Sequence, residues 1–283
     1  MYITYKHTIG VGRNLLFNFS ENNLLSFFFI FGFLVKLPIY PLHLWLLKTH
    51  LEAPVEASIL LAGILLKLGS YGLLRFSILW SKNILIKNIV LPLRFRGSLI
   101  ICLYCLFCQD YKLLVANSSI VHINLSFFCC SHISFFALTR RLIRITRHGI
   151  CSSGLFRISN LIYKYFGTRR FFIAKNIISL SPYICIWLFF LLISNIGVPP
   201  TINLIVEIKR FILVFSLTFF LRPLFFIFIF ICGSYCVYYY YICINGRTRT
   251  YSKLYTIDLL HNIMYILHLS PLIIFLLWVR LIF

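Results

Sequence analysis

The sequence predicts an all-α polytopic membrane protein, and three observations support this fold class. First, 61% of the 283 residues are hydrophobic and 12% are charged, whereas a soluble domain is about half apolar and about a quarter charged. Second, apolar runs long enough to cross a bilayer recur along the chain, separated by short polar or basic turns. Third, prolines interrupt two segments that each carry one ionisable residue, Lys36 or Glu207, as in the broken helices of membrane transporters. At about 20 residues per span, the chain would hold roughly seven to nine transmembrane helices.

The spans can be placed in order except in one region. A partly polar lead-in at residues 1–23 precedes the first span at 24–47. Pro38 and Pro41 should break this span near its middle, because proline removes a backbone donor and clashes with the preceding turn. The second span is predicted at 57–80 and is followed by a basic loop at 81–96. Later spans are predicted at 113–137, 182–198, 201–221, 223–243 and 263–283. Between 97 and 182, arginines mix with apolar residues, so the number of helices there is left open.

The formal net charge of +21 comes from 27 basic and 6 acidic residues. Such a balance can indicate a nucleic-acid partner. Here the basic residues alternate with runs of Phe, Ile and Leu, and no compact polar segment carries them. We therefore interpret them as anchors at the membrane edge, and we expect a lipid bilayer and no nucleic acid as the partner.

Two lysines lie near the middle of the first and second predicted spans. Lys36 stands two residues before Pro38, and Lys67 lies between two leucine-rich stretches of the second span. A charge in hydrocarbon is costly and is kept mostly where it pairs or works. Since burial disfavours the charged form of lysine, such a group can take up and release protons. The alternative is that these side chains extend to the interface, which suits Lys67 poorly because it is far from either end of its span.

Three further residues are candidates for proton transfer. Glu207 is the one carboxylate predicted inside a span, and an intramembrane glutamate is a functional candidate. It could instead lie at a helix end, paired with Lys209 or Arg210. His122 and His148 could relay protons near neutral pH, or each could be a packed side chain with a satisfied hydrogen bond.

The sequence offers no sign of a bound cofactor or metal. The run Cys102-x-x-Cys105-x-x-Cys108 resembles the beginning of an iron–sulfur motif but lacks its fourth cysteine and proline. On a helix these cysteines form one apolar stripe, so we interpret them as structural. No glycine-rich nucleotide loop, zinc signature or nucleophile elbow occurs in the sequence.

Six motifs carry a resemblance to a known family. They are VKLPIYPLHLWL at 35–46, LLKLG at 65–69, QDYK at 109–112, SSIVH at 118–122, HGICSS at 148–153 and PPTINL at 199–204. In this order they are similar to chain 4 of mitochondrial NADH–ubiquinone oxidoreductase, from Ser20 to about Glu207. The first block is the most specific.

The resemblance implies an antiporter-like inverted-repeat fold, here partial, in a subunit of respiratory complex I of the mitochondrial inner membrane. Such a subunit takes part in NADH:ubiquinone reduction by translocating protons and carries no redox chemistry itself. NADH, FMN, iron–sulfur clusters and ubiquinone would bind other subunits, leaving this chain with no cofactor. Its partners would be the other complex I membrane subunits and the bilayer, and its only small substrates protons and water.

The resemblance also implies a domain organisation and residue roles. We expect one membrane domain over 1–283, made of a lead-in (1–23), an antiporter-like core (24–221) and carboxy-terminal helices (222–283). Lys36 resembles the lysine of the first broken helix and Lys67 the central lysine of the hydrophilic axis. His122 and His148 resemble the linking histidines, and Glu207 resembles the exit-side acid.

The sequence departs from this family in three ways. It begins close to the first broken helix, so we expect the amino-terminal half-repeat to be missing, including the glutamate that pairs with the lysine at position 36. Val206 stands where glycine is usual. Arginines occupy a region that is apolar or small in relatives, at about 3 kcal/mol for each one at mid-membrane. They are Arg140, Arg141, Arg144, Arg147 and Arg157.

Two alternatives to a complex I subunit follow from these observations. One is a related cation/proton antiporter subunit. The other is a non-functional partial or mistranslated gene product. In invertebrate mitochondria two codons usually read as arginine encode serine and one read as isoleucine encodes methionine, and the 2 methionines of this chain fit such a misreading.

Overall fold

The computed structural model consists mainly of helices in the part of the chain that it describes. The described residues are 23–75, 89–128, 135–199, 201, 203–205, 207–208, 211–212, 221–246 and 259–282. Within them the β-type pairing is limited to an isolated bridge between Asp110 and Arg170. The predicted lead-in therefore lies almost entirely outside the described residues.

The first predicted span is broken, as expected from its prolines. Helix α1 runs from Asn23 to Lys36, a turn follows, and helix α2 runs from Leu44 to Glu52. Pro38 and Pro41 lie in this turn, where their missing backbone donors cost no helical hydrogen bond. The prediction of a proline-broken helix is confirmed.

The second predicted span is one continuous rod with an irregularity in its middle as far as Arg75, and its residues 76–80 lie outside the described part. Helix α3 covers Val55–Leu60, a π-helical segment covers Leu61–Leu65, and helix α4 covers Leu66–Arg75. The apolar sequence predicts a span here and gives no sign of this irregularity. A π-helical turn holds one more residue than an α-turn, so it shifts the backbone hydrogen bonds just before Lys67.

The next two helices form a tightly packed pair. Helix α5 runs from Leu91 to Phe107 and helix α6 from Tyr111 to Phe128. The expectation of a basic loop through residue 96 is wrong at its end, because α5 begins at Leu91. Pro92 lies in its first turn, where proline is well tolerated. Arg94 is therefore on a helix, with 0% of its surface exposed.

A long helix occupies the centre of the structure. Helix α7 runs from Phe135 to Phe166, and its 32 residues correspond to about 48 Å. It contacts α3, the π-helical segment, α4, α6 and two later helices. The sequence could not assign this region because arginines interrupt its hydropathy. Arginine nevertheless favours helix formation, and no proline falls within the segment.

The remaining helices close the bundle. Helix α8 covers Ile177–Leu180, α9 Pro182–Ile196, α10 Leu221–Ile244 and α11 Leu259–Ile282. Helix α9 ends at Gly197, whose φ of 96° is the left-handed conformation that glycine adopts readily at a helix end. Helix α10 packs on α5 and α9, and α11 packs on α7 and α9. The division into segments 24–221 and 222–283 stays a prediction.

Two helices of the described part are long and apolar enough to cross a membrane, namely Val55–Arg75 and Arg222–Ile244. Shorter apolar helices cover Pro182–Ile196 and His261–Ile274. Many large apolar side chains on these helices face outward, for example Leu68 at 59% exposure and Phe230 at 77%. Such surfaces are typical of helices that contact lipid or further helices.

Candidate functional site

Lys67 turns inward, toward the central helix α7. Its ammonium nitrogen Nζ donates a hydrogen bond to the carbonyl oxygen of Ala62 in the π-helical segment. The same Nζ lies 3.4 Å from Nδ1 of His148 on α7. The side chain is thus held by the irregular turn and by a neighbouring helix. Irregular π-turns within α-helices occur frequently at functional sites. Here the turn leaves the carbonyl oxygen of Ala62 available to the side chain of Lys67.

Gly149 allows α7 to come this close. A Cβ atom at this position would lie 3.0 Å from Cε of Lys67 and 3.2 Å from the carbonyl oxygen of Gly63. The second contact is with backbone, which cannot move aside easily. The His148-Gly149 pair therefore places an imidazole beside Lys67 and removes the side chain that would block it.

The two histidines predicted as relays lie next to each other, although they belong to different helices. The ring centroids of His122 on α6 and His148 on α7 are 5.8 Å apart. On its other side, Nε2 of His122 is 3.5 Å from the hydroxyl of Tyr235 on α10. Lys67, His148, His122 and Tyr235 therefore form a row of titratable groups across four packed helices.

A small cavity lies beside the first part of this row. Its volume is about 20 Å³, and its lining includes Lys67, Ser70, Ser126, Arg144 and His148. Its other lining residues, Leu37, Leu66, Ile123 and Ile145, are apolar, and a cavity of this size has room for about one water molecule. A water there could bridge groups that do not touch directly.

Glu207 forms an ion pair with an arginine that the sequence analysis did not expect as its partner. Oε1 of Glu207 accepts a hydrogen bond from Nη2 of Arg147 on α7 at 3.2 Å. The exposed fraction of the side chain is 18% for Glu207 and 5% for Arg147. The predicted alternative partners, Lys209 and Arg210, lie outside the described residues. Gly197 leaves room for this carboxylate, since a Cβ there would come within 2.9 Å of Cγ of Glu207.

A larger cavity connects Glu207 with His122 of the row. It has a volume of about 740 Å³, and both His122 and Glu207 line it. The rest of the lining is mostly apolar, for example Leu204, Phe211 and Phe228. The carboxylate and His122 therefore open onto one space.

Lys36 is placed differently from the other candidates. It is the last residue of α1, and its side chain is exposed. Its Cβ lies beside Gly69, where an added Cβ would be 3.3 Å away. The main chain of Lys36 is thus close to the helix that carries Lys67, but the described contacts do not join the two ammonium groups. Of the five predicted residues, the structure brings Lys67, His148 and His122 into a row and places Glu207 on a shared cavity.

Sequence reasoning missed three contributors to this site. Tyr235 was treated as part of an apolar span, and its neighbours give no polar signal. Arg147 was noted as an anomaly and not as a partner of Glu207. The π-helical segment has the ordinary helical sequence LAGIL, so only the structure reveals it.

The buried cysteines lie near this row but do not form a metal centre in the part of the chain described. Sγ atoms of Cys102 and Cys232 are 3.4 Å apart between α5 and α10. No group of three or more His, Cys, Asp or Glu residues in the described segments has a geometry suited to a metal ion. Cys151 on α7 contacts Ser194 at 3.2 Å and so helps to pack α7 on α9.

A family model described as "NADH:quinone oxidoreductase/Mrp antiporter, TM" matches residues 3–235. NADH-ubiquinone oxidoreductase chain 4 of Artemia franciscana is 38% identical over 230 residues, which cover 81% of this chain and 59% of the relative. Chain 4 of Rhipicephalus sanguineus is 33% identical over 264 residues, covering 92% of this chain and 61% of the relative. This chain thus spans less than two thirds of the length of these relatives.

Solved structures share the fold at low sequence identity. One is respiratory complex I from Thermus thermophilus with bound NADH, with a TM-score of 0.77, 19% identity and coverage of 88% of this chain and 53% of that chain. Another is the Mrp complex from Dietzia, with a TM-score of 0.70, 14% identity and coverage of 80% and 42%. The fold is accordingly that of an all-α, multi-pass antiporter-like membrane protein. From the family match over most of its length, the chain belongs to the NADH:quinone oxidoreductase/Mrp antiporter family of membrane proteins.

Proposed function

We propose that this chain is a proton-translocating membrane subunit of respiratory NADH:ubiquinone oxidoreductase in the mitochondrial inner membrane. The observation that carries the proposal is the row Lys67–His148–His122, which opens through a cavity toward Glu207. Protons would move along this row by coupled changes in protonation, without covalent chemistry on this chain. The similarity to curated chain 4 proteins supports the assignment to this complex.

Each group of the row has a chemical role in this proposal. Lys67 accepts and releases a proton in a site where its charge is costly and its carbonyl partner Ala62 favours it. His148 and His122 can each accept a proton at one ring nitrogen and release one at the other. Water in the small cavity would connect Lys67 to the serines that line it. Glu207 would receive protons at the far cavity, which it lines together with His122.

Lys36 is proposed as the entry group. Its exposed side chain lies on α1, on a face that the described chain leaves uncovered. In the proposed complex, further membrane segments would cover this face and supply its counter-charge. NADH, FMN, iron–sulfur clusters and ubiquinone would remain on other subunits.

The direct test replaces Lys67 in the assembled complex. We expect Lys67→Met, which keeps the side-chain volume, to abolish proton pumping while the complex still assembles. Lys67→Arg should fail as well, because guanidinium keeps its charge and does not release a proton. The measurement is the ratio of protons moved to electrons transferred in sealed vesicles supplied with NADH and a short-chain quinone.

Lys48→Gln is the matched control, since Lys48 is exposed on α2 and lies outside the row. A normal proton-to-electron ratio in Lys67→Met would overturn the role of Lys67. A dependence of transport on sodium, with no coupling to quinone reduction, would instead favour a cation/proton antiporter subunit. The family description covers both classes.

A further inference from the structure

A second cavity lies at the ends of several helices, away from the proton row. It has a volume of about 290 Å³ and is bounded by the turn between α2 and α3, the first residues of α3, the start of α6 and the end of α7. Three cationic side chains line it together with one carboxylate. They are Lys112, Lys164, Arg169 and Glu56.

Two of these cations are held in place by backbone. Nζ of Lys112 donates a hydrogen bond to the carbonyl oxygen of Ala53 at 2.8 Å, and Lys112 is only 5% exposed. Nη1 of Arg169 donates to the carbonyl oxygen of Leu51 at 2.7 Å, and its guanidinium lies 5.3 Å from the ring centroid of Tyr163. These bonds cap the last carbonyls of α2, where a cation is favourable.

The charge of this cluster is not balanced by ion pairs. In the described part of the chain, the carboxylate of Glu56 and the three cations are all more than 4.0 Å from an oppositely charged group. Three positive charges and one negative charge therefore line one cavity, and one of the cations is deeply buried. Backbone carbonyls satisfy hydrogen bonds but carry no net charge. A buried cation generally requires a counter-ion, because desolvation of an uncompensated charge costs several kcal/mol.

The cavity also has spare donors for such a counter-ion. An ammonium has three N–H donors and a guanidinium five, of which Lys112 and Arg169 each use one on a backbone carbonyl. Asn160 adds a side-chain amide to the lining, and the positive end of the α6 dipole begins at the neighbouring Tyr111. Several donors around a net positive charge match the oxygens of a phosphate group.

We propose that this cavity binds a phosphate group and that its occupant is the headgroup of an anionic phospholipid. The fold is that of a membrane protein, and the rim of the cavity carries Tyr163, 40% exposed, and the exposed Lys164. An aromatic ring and a lysine at the rim are suited to the membrane interface, where acyl chains can leave toward the bilayer. The cavity is large enough for a phosphate and a glycerol group and too small for a whole lipid molecule.

The test compares two neighbouring arginines in the full chain. Arg169 lines the cavity, whereas Arg170 is exposed and does not. Wild type, Arg169→Gln and Arg170→Gln are each reconstituted in bilayers of phosphatidylcholine with phosphatidylglycerol, re-extracted, and examined by native mass spectrometry for retained lipid. We expect Arg169→Gln to retain about tenfold less phosphatidylglycerol, the effect of one charge-assisted hydrogen bond, and Arg170→Gln to match wild type.

A second pair of variants guards against misfolding of Arg169→Gln. Lys164→Gln removes an exposed rim charge, and Lys175→Gln removes a lysine outside the cavity. Lys164→Gln should lower retention and Lys175→Gln should not. Equal phosphatidylglycerol retention in Arg169→Gln, Lys164→Gln and wild type would overturn the proposal.

Inorganic phosphate distinguishes the two sources of the same group. It is titrated into the detergent-solubilised chain, and phosphatidylglycerol displacement is followed. Displacement that requires Arg169 supports a phosphate site occupied by lipid. Phosphate binding without any retained phosphatidylglycerol would overturn the lipid occupant.

Discussion

At the scale of single residues, the site depends on how closely α7 approaches the π-helical segment. The contact between Lys67 and His148 is possible because Gly149 has no side chain. The sequence predicted Lys67, His148 and His122 as candidates from residue type and resemblance. It could not predict that they form a row, since they are far apart in the chain and their helices pack through apolar residues that many arrangements would satisfy.

We expect Gly149→Ala to separate α7 from the helix that carries Lys67. The added methyl group would contact the carbonyl oxygen of Gly63 at 3.2 Å and Cε of Lys67 at 3.0 Å. Overpacking of this kind costs about 1–3 kcal/mol and should weaken the Lys67–His148 contact. The thermal unfolding temperature of the detergent-solubilised chain and the rate of proton pumping by the complex should both decrease.

Gly233→Ala on α10 serves as the control, because no atom lies within 4 Å of a Cβ built there. It should leave both measurements near those of the wild type. Equal behaviour of the two alanine variants would argue against the importance of this close approach.

At the scale of elements, the break caused by the prolines could be predicted from the sequence, whereas the π-helical segment could not. The break between α1 and α2 follows from Pro38 and Pro41, whose effect on a helix is local. The π-helical segment at Leu61–Leu65 has no proline, glycine pair or polar insertion that would announce it. Helix α7 was also not predicted as one element. Its arginines interrupt the apolar pattern in the sequence, although much of the helix is buried in the bundle.

Deletion of Ile64 tests the role of the π-helical segment. Ile64 is 55% exposed, so its side chain contributes little to the bundle. Removing one residue should convert the wide turn to regular α-helix and restore backbone donors to the carbonyl that Lys67 now contacts. We expect the helix to remain folded, by circular dichroism, while the proton-to-electron ratio falls.

Deletion of Leu68, which is also exposed but lies after the segment, gives the comparison. It should disturb the register of α4 and lower stability. If the Ile64 deletion pumps like the wild type, the irregular turn has no role in transport.

At the scale of the whole molecule, fold class and family were predictable because they depend on composition and on long local motifs. The number of spans and the arrangement of charges were not. The resemblance located five arginines in a region that is apolar in relatives. Two of them, Arg144 and Arg147, are buried on α7, and Arg147 with Glu207 is the sole ion pair within the described segments.

We predict that serine occupies some of these arginine positions in the mature protein, as codon reassignment would produce. Each arginine within the membrane costs about 3 kcal/mol, and a single carboxylate does not offset several of them. Peptide mass mapping of the purified chain measures this directly. Tryptic cleavage after residues 144 and 147 would show that arginine is present and that the pair with Glu207 is part of the mature protein.

The length of α7 has a consequence for the whole bundle. A rod of about 48 Å exceeds the hydrocarbon thickness of about 30 Å, even when it is inclined by about 40°. One end of α7 therefore always reaches the headgroup layer, and Lys164 near that end is about 24 Å along the axis from His148. Because the helix is continuous between these residues, thinning or thickening of the bilayer that changes its inclination must also change the depth of the imidazole.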